Sequence, residues 1–377
     1  MDLTFVFPCL NEEATLAACI AAVKLSLEPA AQRGELSYEV VVADNGSTDR
    51  SRSIAVQEGA RVVPVEQRGY GAALRGGIEA AHGTYVIFAD ADSTYLYEDT
   101  LRLYQKAIEA NADMAIASRM TGKIERGAMP PLHRALGTPV LTTLINLLFG
   151  GRLSDCNSGF RCIRKTAYET WGIRSNGMEF ASELLIKALK HRAKTVEIRS
   201  GLRRGPEGRV AHLRTWRDGM RHLLFILSER PRLFEVTGLI LVVLSSLLQL
   251  AALIVGPINV AGLNIFDLHT KGLLLLFGLT GMQAYLFACM LFLKKREQPL
   301  PITRCSIDID EASLFFLLLG LVLVEAILVS AVVINWALHN FAELNLAQVL
   351  FPMIHFLSVP GMLSVGLLAL HVLKKSD

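Results

Sequence analysis

Two aspartates separated by one residue, Asp90 and Asp92, are the most specific chemical feature of this sequence. They follow the apolar run Tyr85–Ala89, which has the length of a β-strand, so both carboxylates are expected at one strand exit. Mg²⁺ is commonly held by one or two carboxylates together with substrate phosphates. The pair therefore predicts a site for a hard divalent cation, and the competing interpretation is an ordinary solvated turn.

The elements that position this pair are indicated by the N-terminal part of the chain, where apolar runs of strand length alternate with helical stretches. Together with Tyr85–Ala89, the predicted strands are Leu3–Phe7, Glu39–Ala43, Arg61–Val65 and Met114–Ala117. The predicted helices are Glu12–Leu27, Thr48–Glu58, Tyr70–Ala81 and Glu98–Ala110. This alternation predicts an α/β fold with a Rossmann-like, mostly parallel sheet and helices on both faces.

Polar segments follow these strands, at the edge where parallel sheets bind ligands. They are Pro8–Glu13, Asp44–Asp49, Arg68–Gly71 and Ser118–Arg119. Each segment alone is typical of a turn or a helix start, but their recurrence at successive strand ends favours one shared site. A dinucleotide fingerprint is not favoured, because Gly69-x-Gly71 does not follow the first strand and Leu74 replaces the third glycine.

The composition changes at about residue 234. Four segments beyond it carry almost no charge and reach the ~20 residues that a membrane-spanning helix needs. We predict these spans at about 234–255, 272–293, 312–338 and 349–373. The predicted organisation is a catalytic domain at 1–212, a basic interfacial helix or linker at 213–233, and an all-α membrane domain of four transmembrane helices at 234–377. A buried helical core is the alternative, but these segments leave too little polar surface for a soluble fold.

The overall composition excludes several classes of protein. With 52% hydrophobic and 19% charged residues, the chain is too apolar to be disordered and too poor in charge to be wholly soluble. A formal net charge of +3 argues against nucleic acid as a partner. The six cysteines form no C-x-x-C pair, which argues against a zinc site. Because Pro8 interrupts the first apolar run and no basic region precedes it, we expect no cleavable signal.

Lysine and arginine are distributed unevenly among the short loops. They cluster before the first predicted span, after the second and after the fourth, whereas Lys271 stands alone in the other two loops. Since cytoplasmic loops carry the excess of basic residues, we predict a multi-pass protein of the cell (inner) membrane with the catalytic domain and both termini in the cytoplasm. Glu325 lies at the middle of the third span, and we predict that it faces the helix bundle and pairs with Gln283 at matching depth.

Three of the polar segments, Pro8–Glu12, Asp44–Asp49 and Asp90–Asp92, resemble in this order the motifs of family 2 glycosyltransferases of the GT-A fold. Within that family the chain is similar to polyprenyl-phosphate glycosyltransferases, the group that contains dolichol-phosphate mannose synthase. The resemblance covers about residues 1–230, and the appended membrane helices also fit. It implies a nucleotide sugar as donor, a polyprenyl phosphate as acceptor, membrane lipids as neighbours and Mg²⁺ or Mn²⁺ as cofactor.

The same resemblance implies roles for individual residues. Nucleotide-sugar contacts are implied for Pro8, Leu10, Glu12, Asp44, Asn45, Gly69, Gly71 and Asp90. Metal binding is implied for Asp90 and Asp92, and catalysis for these two residues together with Arg119. The resemblance implies contacts on the acceptor side for Arg119, Arg134, Asp155, Ser158 and Arg161. Thr94 stands where a glutamine that helps to hold the metal is common.

Two further segments bear on the acceptor side. Pro131–Gly150 is an apolar run interrupted by glycine and proline, which favours a helix lying in the headgroup region, with a buried core helix as the alternative. His133 and Arg134 at its start could then meet a lipid phosphate. The basic segment Arg203–Arg221, which includes Arg209, either meets anionic headgroups or forms a loop over the acceptor lipid phosphate.

The predicted reaction is a direct displacement that inverts the anomeric centre, and it needs no strong general base because a phosphate acceptor is already anionic. One rival is a processive polysaccharide synthase, whose Gln-x-x-Arg-Trp motif this sequence lacks. The other is a catalytically inactive domain that regulates a membrane transport module. Glu179 and Glu183 share a helix face and either line the acceptor cleft or pair with Lys187 and Lys190. The oligomeric state stays open, a homo-oligomer included.

Overall fold

The computed structural model describes residues 1–205, 215–260, 263–295, 297–338 and 346–375. The chain divides into two compact units, Met1–Glu229 and Arg230–Asp377. This division falls inside the linker that we predict at 213–233. The first unit contains the α/β sheet, and the second contains the long apolar helices.

A seven-stranded sheet among the described residues forms the centre of the first unit. Its strands are β1 (Leu3–Cys9), β2 (Tyr38–Asp44), β3 (Arg61–Pro64), β4 (Tyr85–Phe88), β5 (Met114–Ser118), β6 (Arg161–Arg164) and β7 (Thr195–Arg199). Their order is β3-β2-β1-β4-β6-β5-β7, in which β6 is antiparallel to both neighbours and the other pairs are parallel. The carboxyl ends of β1 to β5 therefore lie along one edge.

Helices pack on both faces of this sheet. They are α1 (Leu16–Gln32), α2 (Ser51–Gln57), α3 (Tyr70–Ala80), α4 (Thr100–Glu109), α5 (Thr138–Phe149), α6 (Lys165–Trp171), α7 (Phe180–Lys190) and α8 (Thr215–Ser228). Val40 and Val42 of β2 belong to one apolar core, and Val41 and Ala43 belong to the core on the opposite face. Because the central strands are buried on both faces, they are nearly continuous apolar runs in the sequence.

The five predicted strands are confirmed to within two residues at each end. The sequence does not reveal β6 and β7, because β6 has only two apolar residues between its arginines and a glutamate interrupts β7. The first helix begins at Leu16 rather than at Glu12. The preceding residues form a turn in which Asn11 has a φ of 58°, so the chain reverses before the helix starts.

The predicted interfacial segment Pro131–Gly150 is helical, with a π-turn over His133–Gly137 followed by α5. α5 buries Ile145 in the first unit, whereas Val140 and Leu147 on its outer face are 51% and 78% exposed. The helix therefore contributes one face to the core, with Leu141, Ile145 and Phe149 buried, and exposes the other, so each alternative describes one of its faces. An exposed apolar face of this kind is typical of a surface that contacts a membrane or another protein.

The second unit is mainly helical, and it departs from the predicted all-α domain by one short two-stranded antiparallel sheet. It comprises α9 (Pro231–Val255), β8 (Ile258–Val260), β9 (Leu263–Ile265), α10 (Leu268–Lys294), α11 (Pro301–Ile307), α12 (Glu311–Leu338) and α13 (Leu346–Lys375). Four helices of the described chain are long and apolar enough to cross a membrane, at positions that agree with the predicted spans. α9 and α10 approach closely, since a Cβ on Gly238 would lie 2.7 Å from the carbonyl oxygen of Gly281. Small residues of this kind let membrane helices meet backbone to backbone.

The predicted pair between Glu325 and Gln283 is wrong. Gln283 is exposed on α10. Glu325 Oε1 is buried without a hydrogen-bond partner among the described residues, and it lies 3.6 Å from where a Cβ on Gly361 of α13 would be. Matching depth in two spans does not determine which helices are neighbours, and here the carboxylate of α12 faces α13.

Candidate active site

The carboxyl ends of β1, β2 and β4 bring the predicted donor-side segments together. Cys9 lies opposite Asp44 in the sheet register, and the backbone N of Asn45 donates to the carbonyl oxygen of Cys9 at 2.8 Å. On the other side of β1, Thr15 Oγ1 donates to the carbonyl oxygen of Ala91 at 2.6 Å. The segment after β1 therefore contacts both the turn that follows β2 and the turn that follows β4.

Asp92 is 7% exposed and is held in a tight turn. Its Oδ1 accepts hydrogen bonds from Thr94 N at 3.0 Å and from Thr94 Oγ1 at 2.6 Å. Ser93 between them has a φ of 60°, a left-handed conformation that is uncommon for residues other than glycine. Thr94 thus orients the carboxylate of Asp92, which differs from the direct metal contact that the resemblance associates with this position.

Asp90 lies among three tyrosines. Its Oδ1 accepts a hydrogen bond from Tyr70 Oη at 2.7 Å, and its backbone carbonyl accepts one from the Tyr97 hydroxyl. Tyr95 Oη accepts from Gly159 N at 2.7 Å. Desolvation, followed by the charge of Asp90, raises the pKa of Tyr70, so this hydroxyl is a neutral donor at pH 7. The sequence offered no reason to assign a role to these tyrosines, although Tyr95 and Tyr97 lie within five residues of Asp92.

Asp44 is 1% exposed at the end of β2, and both of its oxygens accept hydrogen bonds. Ser47 N donates to Oδ1 at 3.1 Å, and Arg52 Nε donates to Oδ2 at 2.6 Å. Burial opposes ionisation, but these hydrogen bonds outweigh it and hold the pKa of Asp44 below its usual value. The carboxylate is therefore ionised at neutral pH, and one of its oxygens is already paired with Arg52.

Asn45, Gly69 and Gly71 shape the entry to α3. Asn45 Oδ1 accepts from Gly69 N at 2.8 Å, so Asn45 fixes the loop that precedes the helix. A Cβ on Gly69 would lie 2.1 Å from the carbonyl oxygen of Asn176, and one on Gly71 would lie 2.5 Å from that of Ser175. The two glycines thus make room for the backbone of segment 175–177.

The segment after β1 combines buried and accessible residues. Pro8 is buried within β1, whereas Leu10 is 42% exposed. The backbone N of Glu12 donates to Ser51 Oγ at 2.9 Å, which ties this segment to the start of α2. The resemblance implies three nucleotide-sugar contacts in this segment. Leu10 and Glu12 lie where a ligand at this edge can reach them, whereas Pro8 is buried in the strand.

Arg119, directly after β5, forms a buried ion pair with Asp155. Arg119 Nε lies 2.7 Å from Asp155 Oδ2 and Nη2 lies 2.9 Å from Oδ1, with side chains 12% and 0% exposed. Burial opposes the ionised form of Asp155, but the adjacent guanidinium outweighs it and lowers the pKa of this carboxyl. Asp155 is therefore enclosed, and both of its oxygens bond Arg119.

Ser158 and Arg161 are also enclosed. Arg161 is 1% exposed and donates to the carbonyl oxygens of Ser158, Ala181 and Cys156 at 2.8, 2.9 and 2.7 Å. Ser158 Oγ donates to the carbonyl oxygen of Ala117 at 2.7 Å. The direct phosphate contacts expected of these two residues do not fit this burial. Arg161 instead joins segment 156–158 to the first turn of α7.

The remaining acceptor-side residues differ in exposure. Arg134 is exposed in the π-turn before α5, and His133 beside it is half-buried. Arg209 lies outside the described residues. Glu183 is 4% exposed and pairs with Lys187 at 2.7 Å, as one of the two interpretations predicts. Glu179 instead lines a groove of about 530 Å³ between α7 and α8, which is bordered by Gly177, Glu179, Arg221, Leu224, Phe225 and Ser228.

The chemistry of Asp90 and Asp92 fits a hard divalent cation. Carboxylate oxygens are the ligands that Mg²⁺ and Mn²⁺ prefer. Within the described parts of the chain, no group of three or more His, Cys, Asp or Glu side chains is placed to hold a metal ion. A cation held by these two carboxylates would therefore take its remaining ligands from water or from a bound substrate.

Comparisons with known proteins agree with this geometry. The family model described as Glycosyl transferase family 2 matches residues 4–172. The low-salt glycan biosynthesis hexosyltransferase Agl6 of Haloferax volcanii is 40% identical over 73% of this chain and 65% of its own length. The dolichyl-phosphate hexose transferase of the same organism is 31% identical over 44% of this chain and 67% of its own length. The match thus spans slightly less than two thirds of Agl6.

Among solved structures, glucosyl-3-phosphoglycerate synthase from Mycobacterium tuberculosis in complex with Mn²⁺, UDP-glucose and phosphoglyceric acid is similar to the chain at 21% identity and a TM-score of 0.47. That match covers 60% of this chain and 79% of the synthase. The mostly parallel sheet and the family model together confirm the predicted α/β GT-A class for the first unit.

Proposed function

Because the chain belongs to glycosyl transferase family 2, we propose that it transfers a sugar from a nucleotide-diphosphate donor, a UDP- or GDP-sugar, to a polyprenyl phosphate with inversion of the anomeric centre. The observation that carries the proposal is the position of Asp90 and Asp92 beside the turns after β1 and β2, at the carboxyl edge of the sheet. The acceptor class is supported by a relative named for dolichyl phosphate and by the four helices long and apolar enough to cross a membrane.

On the donor side, Asp92 and Asp90 would hold Mg²⁺ or Mn²⁺, which supplies positive charge where the leaving nucleotide diphosphate gains negative charge. Thr94 keeps the carboxylate of Asp92 in one orientation for this purpose. Leu10 and the ionised Asp44 contact the nucleoside in this proposal. Because three carboxylates lie along this edge, a diphosphate would be repelled there without a compensating cation.

On the acceptor side, an oxygen of the polyprenyl phosphate attacks the anomeric carbon while the bond between the sugar and the donor phosphate breaks. The attacking oxygen is already anionic, so no residue has to remove a proton. Arg119, held in direction by Asp155, adds fixed positive charge beside the donor phosphates. The exposed Arg134 binds the phosphate of the acceptor lipid.

We also propose how the protein is oriented in the membrane. The outer face of α5, with Val140 and Leu147 exposed, lies in the headgroup region in this proposal. The uneven distribution of lysine and arginine supports a cytoplasmic position for the catalytic domain and both termini. The water-soluble nucleotide sugar would then reach the site from the cytoplasm, and the acceptor lipid would reach it from the membrane.

The test is a transfer assay with purified full-length protein, a polyprenyl phosphate and a panel of UDP- and GDP-sugars. We expect one donor to give a lipid-linked product. Asp92→Asn or EDTA should lower the rate by about 10²–10³, the usual effect of losing one electrostatic contact in a transition state. Asp113→Asn is the matched control, because Asp113 directly precedes β5 at the opposite edge of the sheet. Arg134→Ala should mainly raise the KM for the lipid.

Other results would assign a different function. Folded protein that gives no product with any donor would contradict the proposal and favour an inactive domain that regulates the membrane helices. Sugar added repeatedly to a growing chain would indicate a processive polysaccharide synthase. Undiminished transfer by metal-stripped protein in EDTA would refute the role of the cation while leaving the transferase activity in place.

A further inference from the structure

Segment 175–177 closes over the first turn of α3. Ala72 N donates to the carbonyl oxygen of Asn176 at 3.1 Å. A side chain on Gly69 or on Gly71 would collide with the backbone of this segment, at 2.1 Å and 2.5 Å respectively. The glycines therefore permit a contact within the protein. The same contact occupies a backbone N–H in the first turn of α3.

The covering segment is itself firmly held. Glu183 Oε2 accepts from Ser175 N at 2.7 Å and from Arg174 N at 3.0 Å. Arg75 Nη1 donates to the carbonyl oxygen of Arg174 at 2.8 Å and to Asn176 Oδ1 at 2.9 Å. Charge-assisted hydrogen bonds from two helices thus fix the segment. Tyr70 lies between Gly69 and Gly71, so its backbone belongs to the helix start against which this segment packs.

The side chain of Tyr70 reaches from this junction to Asp90. Its Oη donates to Asp90 Oδ1 at 2.7 Å. The other oxygen, Oδ2, lies on the side of Gly159, where a Cβ would be 3.2 Å from Oδ2 and 2.9 Å from Tyr95 Oη. The carboxylate of Asp90 therefore has the hydroxyl of Tyr70 beside Oδ1 and Gly159 beside Oδ2. A side chain at position 159 would crowd Oδ2.

We propose that Tyr70 is a positioning residue that orients Asp90 for a divalent cation, and that Gly69 and Gly71 on either side of it let segment 175–177 hold this helix start in place. The inference rests on the metal role of Asp90 in the proposed function. Groups that hydrogen-bond a metal-binding carboxylate set its direction, and their loss typically weakens metal binding about 10–100-fold. Tyr70 acts through its hydrogen bond to Asp90 and contacts neither the cation nor the sugar.

The test measures Mn²⁺ binding directly, with no turnover. Purified full-length protein is titrated with Mn²⁺ in the presence of UDP or GDP, and free Mn²⁺ is read from its electron paramagnetic resonance signal. We expect Tyr70→Phe to raise the Kd for Mn²⁺ by about 10–100-fold without lowering the Tm. Tyr104→Phe is the matched control, because Tyr104 is a buried tyrosine that packs edge-on against Tyr85, and its Kd should be unchanged.

Two further measurements separate positioning from general damage. Gly69→Ala keeps the Tyr70 hydroxyl but displaces segment 175–177, so it should also weaken Mn²⁺ binding. In the transfer assay, saturating Mn²⁺ should restore the rate of Tyr70→Phe, which a misfolded protein would not show. Equal Kd values for the wild type and Tyr70→Phe would overturn the inference alone. If the wild type bound Mn²⁺ no more tightly than Asp92→Asn, the metal role itself would fail, and this inference with it.

Discussion

The two units of the chain treat buried polar groups differently. In the first unit, the guanidinium of Arg161 donates to three carbonyl oxygens, and Arg119 and Asp155 bond each other at two points. The buried side-chain atoms that lack a hydrogen-bond partner in the described part of that unit are Arg75 Nε and Arg164 Nε. In the smaller second unit they include Glu235 Oε2, Gln249 Oε1, Thr303 Oγ1, Glu325 Oε1 and His355 Nδ1.

This difference fits the functions that we propose for the two units. A site that acts on a charged donor needs fixed electrostatics, so its buried charges must be held in one arrangement. Between membrane helices, hydrogen bonds contribute only about 0.6 kcal/mol on average, and close packing provides most of the specificity. We therefore expect charge changes to be severe in the first unit and mild in the second, where changes of shape should matter more.

The largest effect is expected for Asp155→Asn. The variant leaves the guanidinium of Arg119 buried beside a neutral amide, and breaking a buried pair in this way costs about 3–5 kcal/mol. Hydrogen exchange of peptides from β5 and β6, measured in the full-length protein, should show this loss locally. The control is Asp113→Asn, which breaks a partly exposed pair with Arg164 at 3.6 Å and should cost less than about 1 kcal/mol.

The same pair predicts a pH dependence of stability. The pKa of Asp155 is lowered in the folded protein, so its contribution to stability is fully present above the unfolded pKa, about 3.9, and is lost as the pH falls through the folded value. Acid should therefore destabilise the wild type more than Asp155→Asn. If acid destabilised the wild type and Asp155→Asn equally, the ion pair would add no stability. The first unit would then depend less on its buried charges than we expect.

A change of shape should have an intermediate effect in the second unit. The ring of His355 packs on Gly278, where a Cβ would lie 2.2 Å from His355 Cε1, and its Nε2 bonds Ser246 Oγ at 2.9 Å. Gly278→Ala forces this ring to move and should cost about 1–3 kcal/mol, measured by unfolding in mixed detergent micelles. Gly320→Ala is the control, since nothing lies within 4 Å of the added carbon. Equal losses in the two variants would contradict the role assigned to packing.

The sequence predicts what is local and misses what depends on distant neighbours. The parallel strands, the four spans and the Asp90–Asp92 turn are visible because runs of apolar residues and the residues directly after them carry the signal. The burial of Arg161 is not visible, because its three partners come from two separate segments. The bond from Tyr70 to Asp90 is hidden for the same reason, since twenty residues separate them.

The smallest effect is expected for Glu325→Gln, although a carboxylate in a span is a functional candidate by default. Glu325 Oε1 lies beside Gly361 without a hydrogen-bond partner among the described residues, and glutamine has nearly the same shape. The variant should therefore change stability by no more than about 0.5 kcal/mol and leave the rate of sugar transfer unchanged. The two measurements are detergent unfolding and the transfer assay, with Gly320→Ala again as reference. A clear loss of turnover at unchanged stability would mean that an ionised group works inside the membrane unit. Both units would then depend on buried charges, and the contrast between them would fail.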